Sequence, residues 1–206
     1  WIEDTNRINT VLDIGTGTGL VALMAAQRGA GHVVAVEIDE MAAGQACENV
    51  RQSQWRDSIE VVCSDITKYT PDELKFDVIA CNPPFFRDSL RSPNAVRSQA
   101  RHNDSLSYEK LADTVLRLLA NDGTFNLVLP FDMADTFTLI AARRGLYMSK
   151  RTKVVTRQGV APKRVLLSFV KQQIVHVEED ELVMFDSNNA ETLDYISLVK
   201  DFYLKY

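Results

Sequence analysis

Residues 82–85 read Asn-Pro-Pro-Phe and close the apolar run Asp77-Val-Ile-Ala-Cys81. Two consecutive prolines fix φ and stiffen a turn. Such a turn can present the Asn82 side-chain oxygen and the Pro83 carbonyl as paired acceptors for an exocyclic –NH2, with Pro84 locking the corner. Phe85 then offers a flat surface on which an aromatic ring can stack. Asn-Pro and Pro-Pro also mark ordinary strand-ending turns, and Phe85 and Phe86 could be core. Phe85 is the better platform; Phe86 stays open. An amine conjugated to a purine is a poor nucleophile because its lone pair is delocalised into the ring. Acceptors for both amine hydrogens favour the pyramidal form and grip harder as positive charge develops on nitrogen. This chemistry is group transfer to nitrogen, the proton leaving to water.

A second constellation lies upstream, in Asp13-Ile-Gly-Thr-Gly-Thr-Gly19. Gly15, Gly17 and Gly19 give a GxGxG spacing, with Thr16 between the first two. The dinucleotide fingerprint would need glycine at position 20, where the chain has Leu20, so NAD is disfavoured. Glu37 follows the run Val33-Val-Ala-Val36 where an acid can bind both ribose hydroxyls, with Ile38 beside it. Asp65 follows the third run, placed to accept from an adenine amino group, with Ile66 against the ring. Asp65 alone reads equally well as a cap or turn residue. Asp13 could orient the loop or attract a cationic ligand. In an open α/β sheet, ligands bind at the carboxyl ends of strands, and here four successive strand ends carry suitable groups. A loop of this kind cradles S-adenosylmethionine.

Short β-branched runs alternate with helical patterns, which predicts a mostly parallel α/β sheet with helices on both faces. Strands are expected at 10–14, 32–36, 59–63, 77–81 and 124–129, with helices at 20–28, near 40–53 and at 132–143. Leu111, Val115, Leu118 and Leu119 give 107–120 one apolar helix face, stopped by Asn121-Asp-Gly123 with Gly123 as a left-handed cap. Residues 147–155 and 164–170 should pair antiparallel. A small hairpin at 174–185 and a helix at 191–204 would complete a C-terminal appendage at about 172–206. The stretch 87–103 reads as a long, Arg-studded loop.

The 206 residues suit a single domain with that appendage, and 46% apolar against 25% charged residues is ordinary for a soluble globular protein. No membrane span or signal peptide is visible. Cys47, Cys63 and Cys81 read as reduced core thiols, and the three histidines lack ligand spacing, so a cytoplasmic, metal-free protein is expected. The net charge of −5 hides an asymmetry. Residues 1–85 carry 6 Lys and Arg against 13 acids, residues 86–170 carry 14 against 7, and residues 171–206 carry 3 against 8. Local field rather than net charge attracts phosphates. Arg87, Arg91, Arg97 and Arg101, with Lys150, Arg151, Lys153, Arg157, Lys163 and Arg164, are therefore candidate RNA contacts. Solvated helix faces are the plainer alternative.

These residues resemble the class I S-adenosylmethionine-dependent methyltransferases, and within them the bacterial tRNA(Val) adenine-N6 methyltransferases that act at position 37. The likeness runs through Val11–Met24, Asn-Pro-Pro-Phe, Arg97-Ser-Gln-Ala-Arg101, Val128-Leu-Pro130, Arg164-Val-Leu-Leu167 and Asp201–Leu204. It implies a Rossmann-like, seven-stranded, mostly parallel sheet with an antiparallel C-terminal hairpin. It also implies S-adenosyl-L-methionine as cofactor, S-adenosyl-L-homocysteine as product, and the tRNA(Val) anticodon loop as partner, with no obligate protein partner. By position, Asp13, Gly15, Gly17, Glu37, Asp65 and Asn82 would line the cofactor pocket. Members of the family begin with an additional segment that helps close that pocket, and an upstream segment is expected here because the chain opens on Trp1. Phe85 stands where Tyr is frequent, and Phe there also occurs in rRNA guanine-N2 methyltransferases. Protein glutamine-N5 methyltransferases share Asn-Pro-Pro-aromatic, and a silent RNA-binding module is the non-enzymatic reading.

Overall fold

The computed structural model describes residue 2, residues 9–83 and residues 106–203. Strands β1 (Thr10–Ile14), β2 (His32–Glu37), β3 (Ile59–Cys63) and β4 (Phe76–Cys81) alternate with helices α1 (Leu20–Gln27) and α2 (Glu40–Gln52). After α3 (Tyr108–Leu118) come β5 (Leu119–Pro130), a 3-10 turn (Phe131–Met133), α4 (Ala134–Ala142), β6 (Tyr147–Arg157), β7 (Arg164–Val170), β8 (Glu178–Phe185) and α5 (Leu193–Val199). One eight-stranded sheet runs in the order β3-β2-β1-β4-β5-β7-β6-β8.

The inner parallel strands are apolar without alternation because both faces are covered. On one face Leu12, Ile14, Val36, Ile79, Phe125, Leu127 and Phe169 pack under Leu111 and Val115 of α3 and Phe137 of α4. Phe125, Phe137 and Phe169 meet with ring centroids 5.3–6.2 Å apart. Burying each such ring contributes roughly 1.5–3 kcal/mol. On the other face Val11, Val33, Ala35 and Val78 pack under Ala22 and Ala26 of α1 and Val50 of α2. Asp39 caps α2 by accepting from the Ala42 amide at 2.9 Å, and Ser107 caps α3 by accepting from Lys110 at 3.2 Å.

Several expectations need correction. The sheet has eight strands, not seven, and β8 is no hairpin: it is a single edge strand parallel to β6. Its register sets Glu178, Glu179, Asp180 and Glu181 against Lys150, Arg151, Thr152 and Lys153, so opposite charges select that pairing. The last helix is only Leu193–Val199, capped by Thr192. Helix α3 stops at Leu118, because Leu119 leaves directly into extended backbone at φ −68° and ψ 138°. Gly123 is therefore a strand residue, with no positive φ. Its requirement is proximity: a Cβ would lie 2.8 Å from the Phe76 carbonyl oxygen, 2.9 Å from that of Asp77 and 2.8 Å from Leu119 Cδ1. Cys47 and Cys63 are exposed rather than core; only Cys81 is buried.

Gly123→Ala should destabilise the fold by about 1–3 kcal/mol, since two of the three contacts are backbone that cannot rotate away. Chemical denaturation of the two proteins measures this, and an unchanged midpoint would contradict the close approach.

Candidate cofactor and acceptor site

Strand register brings the predicted groups to one level. Ile14 pairs with Val36 and with Cys81, and Glu37 pairs with Cys63, so Gly15, Glu37, Cys63 and Asn82 form a row at the carboxyl end of the sheet. Gly15, Gly17 and Gly19 have φ of 69°, 59° and 86°, a region that costs other L-residues roughly 1–2 kcal/mol apiece. Among the described residues nothing lies within 4 Å of where a Cβ would stand on Gly15 or Gly17, whereas one on Gly19 would lie 3.3 Å from Ala46 Cβ. The loop thus has an open upper surface and a packed end.

Glu37 holds the loop in that shape. One carboxylate oxygen accepts from the Gly17 amide at 2.9 Å, and the other accepts from the Ile38 and Asp39 amides at 2.9 and 3.0 Å. The remaining lone pairs are what a ribose diol could meet. Thr16 turns inward: its hydroxyl donates to Asp13 Oδ2 at 2.6 Å, and both residues are buried. Burial pushes the Asp13 carboxyl up from an ordinary 3.8 to about 6, against the lowering effect of the Thr16 hydroxyl and the Ala22 amide, with Glu37 adding to the rise. Burial, and then Asp13 itself, pushes the Cys81 thiol far up, so it is an inert neighbour.

Asp65 behaves as a turn residue here, with Oδ1 accepting from the Thr67 amide at 2.9 Å and the Thr67 hydroxyl at 2.8 Å. Its partial burial would raise its pKa, but those two bonds with Lys68 and Lys110 outweigh that and leave it below the usual range. Ile66 belongs to the main core at 7% exposure, and Ile38 is 61% exposed beside Glu37. Ile38 is thus the apolar surface free to meet a ring, while Ile66 can show only an edge.

Pro83 is buried and Asn82 is exposed. Pro84, Phe85, Phe86, Arg87, Arg91, Arg97 and Arg101 lie outside the described residues. Among the described residues no group of three or more His, Cys, Asp or Glu converges as a metal site would.

The six cations of the C-terminal hairpin do not form one stripe. Side chains alternate across a strand, so Lys150 shares one face of β6 with Thr152 and Val154, while Arg151 and Lys153 lie on the other. Lys150 Nζ pairs with Glu178 at 2.7 Å and Arg151 with Asp135 at 3.0 Å. Arg157 donates to Asn189 at 2.6 Å, and Arg164 pairs in register with Pro130 at the carboxyl end of β5. Arg157, Lys163 and Arg164 therefore flank the turn at the Asn82 end of the sheet, Arg157 roughly 23 Å along the strand from Lys150 and Arg164, level with Val154, roughly 13 Å.

Two groups at this end were missed from the sequence. Phe131 follows β5 directly, and its amide donates to the Lys163 carbonyl at 3.2 Å. Tyr108 opens α3, edge-on to Phe137 at 5.3 Å, its hydroxyl pKa raised by burial and by Asp132. The rule applied to four strand ends, extended to the fifth, would have found Phe131.

An acid whose folded pKa exceeds its unfolded value binds more protons in the native state between the two values. Asp13 accordingly removes stability as pH rises from about 4 to about 6, by about 3 kcal/mol in all. Asn in its place can still accept from Thr16. Asp13→Asn should gain stability relative to the native protein across that window and hold the gain at pH 7; a constant difference from pH 4 to 7 in denaturation would refute the buried charge.

Residues 3–128 match the family described as the methyltransferase small domain. A tRNA1(Val) (adenine(37)-N6)-methyltransferase of Bacteroides fragilis is 49% identical over 208 residues, covering 99% of this chain and 85% of the relative. A protein of the same name from Histophilus somni is 38% identical, covering 98% and 85%. Among solved structures, a predicted O-methyltransferase from Agrobacterium tumefaciens superposes with TM-score 0.75 at 20% identity, covering 97% of this chain and 91% of that one. The glycopeptide N-methyltransferase MtfA, solved with S-adenosylmethionine, gives TM-score 0.61 at 13% identity, covering 80% and 87%. At these identities the structures speak for the fold, a Rossmann-like methyltransferase sheet. The sequence relatives speak for more: the chain is a methyltransferase belonging to the tRNA1(Val) (adenine(37)-N6)-methyltransferase family.

Proposed function

We propose that this protein methylates N6 of adenosine 37 in the anticodon loop of tRNA(Val), in the cytoplasm, using S-adenosyl-L-methionine. The observation that carries the reading is the single row of Gly15, Glu37 and Asn82, which sets an amine-gripping corner beside an adenosine-binding loop. The names of the sequence relatives support the choice of acceptor.

The residues fit the cofactor. The open surface above Gly15 and Gly17 leaves room for it, Glu37 retains lone pairs for a diol, and Ile38 offers an apolar face. Asp13, Gly15, Thr16, Gly17, Gly19, Glu37, Ile38, Asp65, Ile66 and Asn82 are the proposed surroundings. Glu37 and Asp65 contact the nucleoside, while Asp13 and Thr16 act from beneath the loop. S-adenosylmethionine supplies a methyl group bound to a positively charged sulfur, and S-adenosylhomocysteine is what remains after transfer.

Asn82 and the Pro83 carbonyl accept the two amine hydrogens and align the nitrogen lone pair with the methyl carbon. These two acceptors would bind a nitrogen that is gaining positive charge more strongly than they bind the free amine. The surplus proton then passes to water. Phe85 supports the ring, and Pro84 keeps the corner rigid. An anticodon loop suits this site because its bases are already unstacked, so extruding one costs less than opening a duplex. Arg87, Arg91, Arg97 and Arg101 would meet phosphates, as would Arg157, Lys163 and Arg164.

Transfer of tritiated methyl to bulk tRNA and to rRNA, followed by nucleoside analysis, tests the acceptor. N6-methyladenosine in tRNA is expected; N2-methylguanosine in rRNA would overturn the assignment. Asn82→Ala should leave cofactor affinity within a few-fold yet lower kcat by roughly 100-fold or more, as for loss of one charge-stabilising group. Near-normal turnover would remove the acceptor role. For RNA, Lys163→Ala should reduce the slope of log affinity against log salt by about one. Lys150→Ala, already paired with Glu178, should leave the slope unchanged. Equal effects from both would show that the footprint runs down the whole of β6.

A further inference from the structure

Arg151 was expected to meet a phosphate, but its surroundings fit a different task. Its side chain is only 16% exposed. One terminal nitrogen is paired with Asp135 at 3.0 Å, and the guanidinium carbon stands 5.4 Å from the centroid of the Phe131 ring. Its Nε is buried without a hydrogen-bond partner. Leaving that donor unmet is costly, and a lysine would reach Asp135 without it. What a lysine lacks is a flat cation to lay over an aromatic ring.

The ring so covered lies at the end of the sheet that carries Asn82. Phe131 is the first residue beyond the carboxyl end of β5, the strand next to β4, whose end carries Asn82. Its amide is tied to the Lys163 carbonyl, and its side chain is only partly buried against the main core. Cation, ring and carboxylate thus brace one another from three elements: β6, the turn after β5, and the first turn of α4.

We propose that Phe131 forms the acceptor-side wall of the active site, contacting the base held at Asn82, and that Arg151 is a positioning residue that fixes the orientation of this ring. The inference rests on the amine-methylating reading above. Arg151 meets no phosphate: its charge is neutralised by Asp135, and its planar face is spent on Phe131. Asp135 belongs to the same device, anchoring the guanidinium from α4.

Phe131→Leu, Arg151→Lys and Arg151→Ala, with the native protein, are compared in three measurements. The first is methyl transfer to tRNA. The second is S-adenosylhomocysteine affinity by calorimetry. The third is binding of free adenosine to the protein loaded with S-adenosylhomocysteine, followed by NMR. Phe131→Leu and Arg151→Ala should lower kcat on the order of tenfold or more, as misplacement of a reacting group does. They should weaken adenosine, and leave S-adenosylhomocysteine affinity and the salt slope of tRNA binding unchanged. Arg151→Lys should lose kcat despite keeping its charge. A salt slope reduced by about one in Arg151→Ala with kcat intact would make Arg151 a phosphate contact and overturn the proposal. So would full activity in Phe131→Leu. If the native protein transfers no methyl to tRNA, the functional reading fails by itself. The adenosine measurement still decides the wall, since unchanged adenosine binding in Phe131→Leu rejects it.

Discussion

The second strand ties down the glycine loop, through the Val36 carbonyl, which accepts from the Gly15 and Thr16 amides at 2.9 and 3.1 Å, and through the Glu37 carboxylate. Glu37 accepts from the amides of Gly17, Ile38 and Asp39, so one side chain fixes both the loop and the turn that opens α2. Gly15 donates to the Val36 carbonyl at 2.9 Å, Gly19 donates to the Thr16 carbonyl and accepts from the Leu23 amide, and the Glu37–Gly17 bond fixes the middle of the loop. This also changes how the loop can bind. The Gly17 amide is turned toward Glu37 and away from a phosphate, which sets the loop apart from those whose amides all face a pyrophosphate. A ligand here meets open glycine surface and carboxylate lone pairs, a setting suited to a nucleoside without phosphates.

Asp13 and Glu37 lie on the same face of the sheet, beneath the loop, and among the described residues neither is ion-paired. Burial alone would favour a neutral group in place of Asp13, because the ionised acid is costly there. A charge kept against the stability of the fold belongs to function rather than folding. The two carboxylates create a negative potential under the loop, and a sulfonium is the kind of ligand that such a field holds. On the cofactor reading proposed above, the neutral thioether product would lack that attraction.

Strands β1 to β4 could be read from residues almost to their boundaries, whereas β5 begins at Leu119, five residues before the expected 124. Strands covered on both faces need unbroken β-branched runs such as Val33–Val36, and nothing else in the chain mimics them. The glycine loop and Glu37 were legible for a similar reason, as their spacing is dictated by one local turn and one neighbouring strand. Gly123 was not, because its requirement comes from the Phe76 and Asp77 carbonyls of a strand more than 40 residues earlier. Its flanking Asn-Asp imitates a helix stop that tertiary pairing overrides. Thr16 looked like a ligand group because a loop hydroxyl has no visible partner in one dimension, yet Asp13 claims it. Asp65, poised between ligand and turn residue, carries the bonds of the turn; the same carboxylate can serve a ligand through its second oxygen.

The charge distribution shows most clearly what a linear count leaves out. Residues 86–170 sum to a strong positive balance, but the pleat divides the cations of β6 between two faces, and β8 lays four consecutive acids along their lower half. That edge strand does two things at once. Its carboxylates keep an exposed sheet edge from pairing with another chain, and they cancel the cations farthest from Asn82. Removing attraction at the base of the sheet leaves the net positive field at the β6–β7 turn, where Arg157, Lys163 and Arg164 stand. On the reading proposed above, a polyanion would then be drawn to the end of the sheet that carries Asn82 and not to its flank. Focusing by subtraction in this way achieves with acidic residues what a larger basic patch could not, since more cations along β6 would raise affinity and misdirect it.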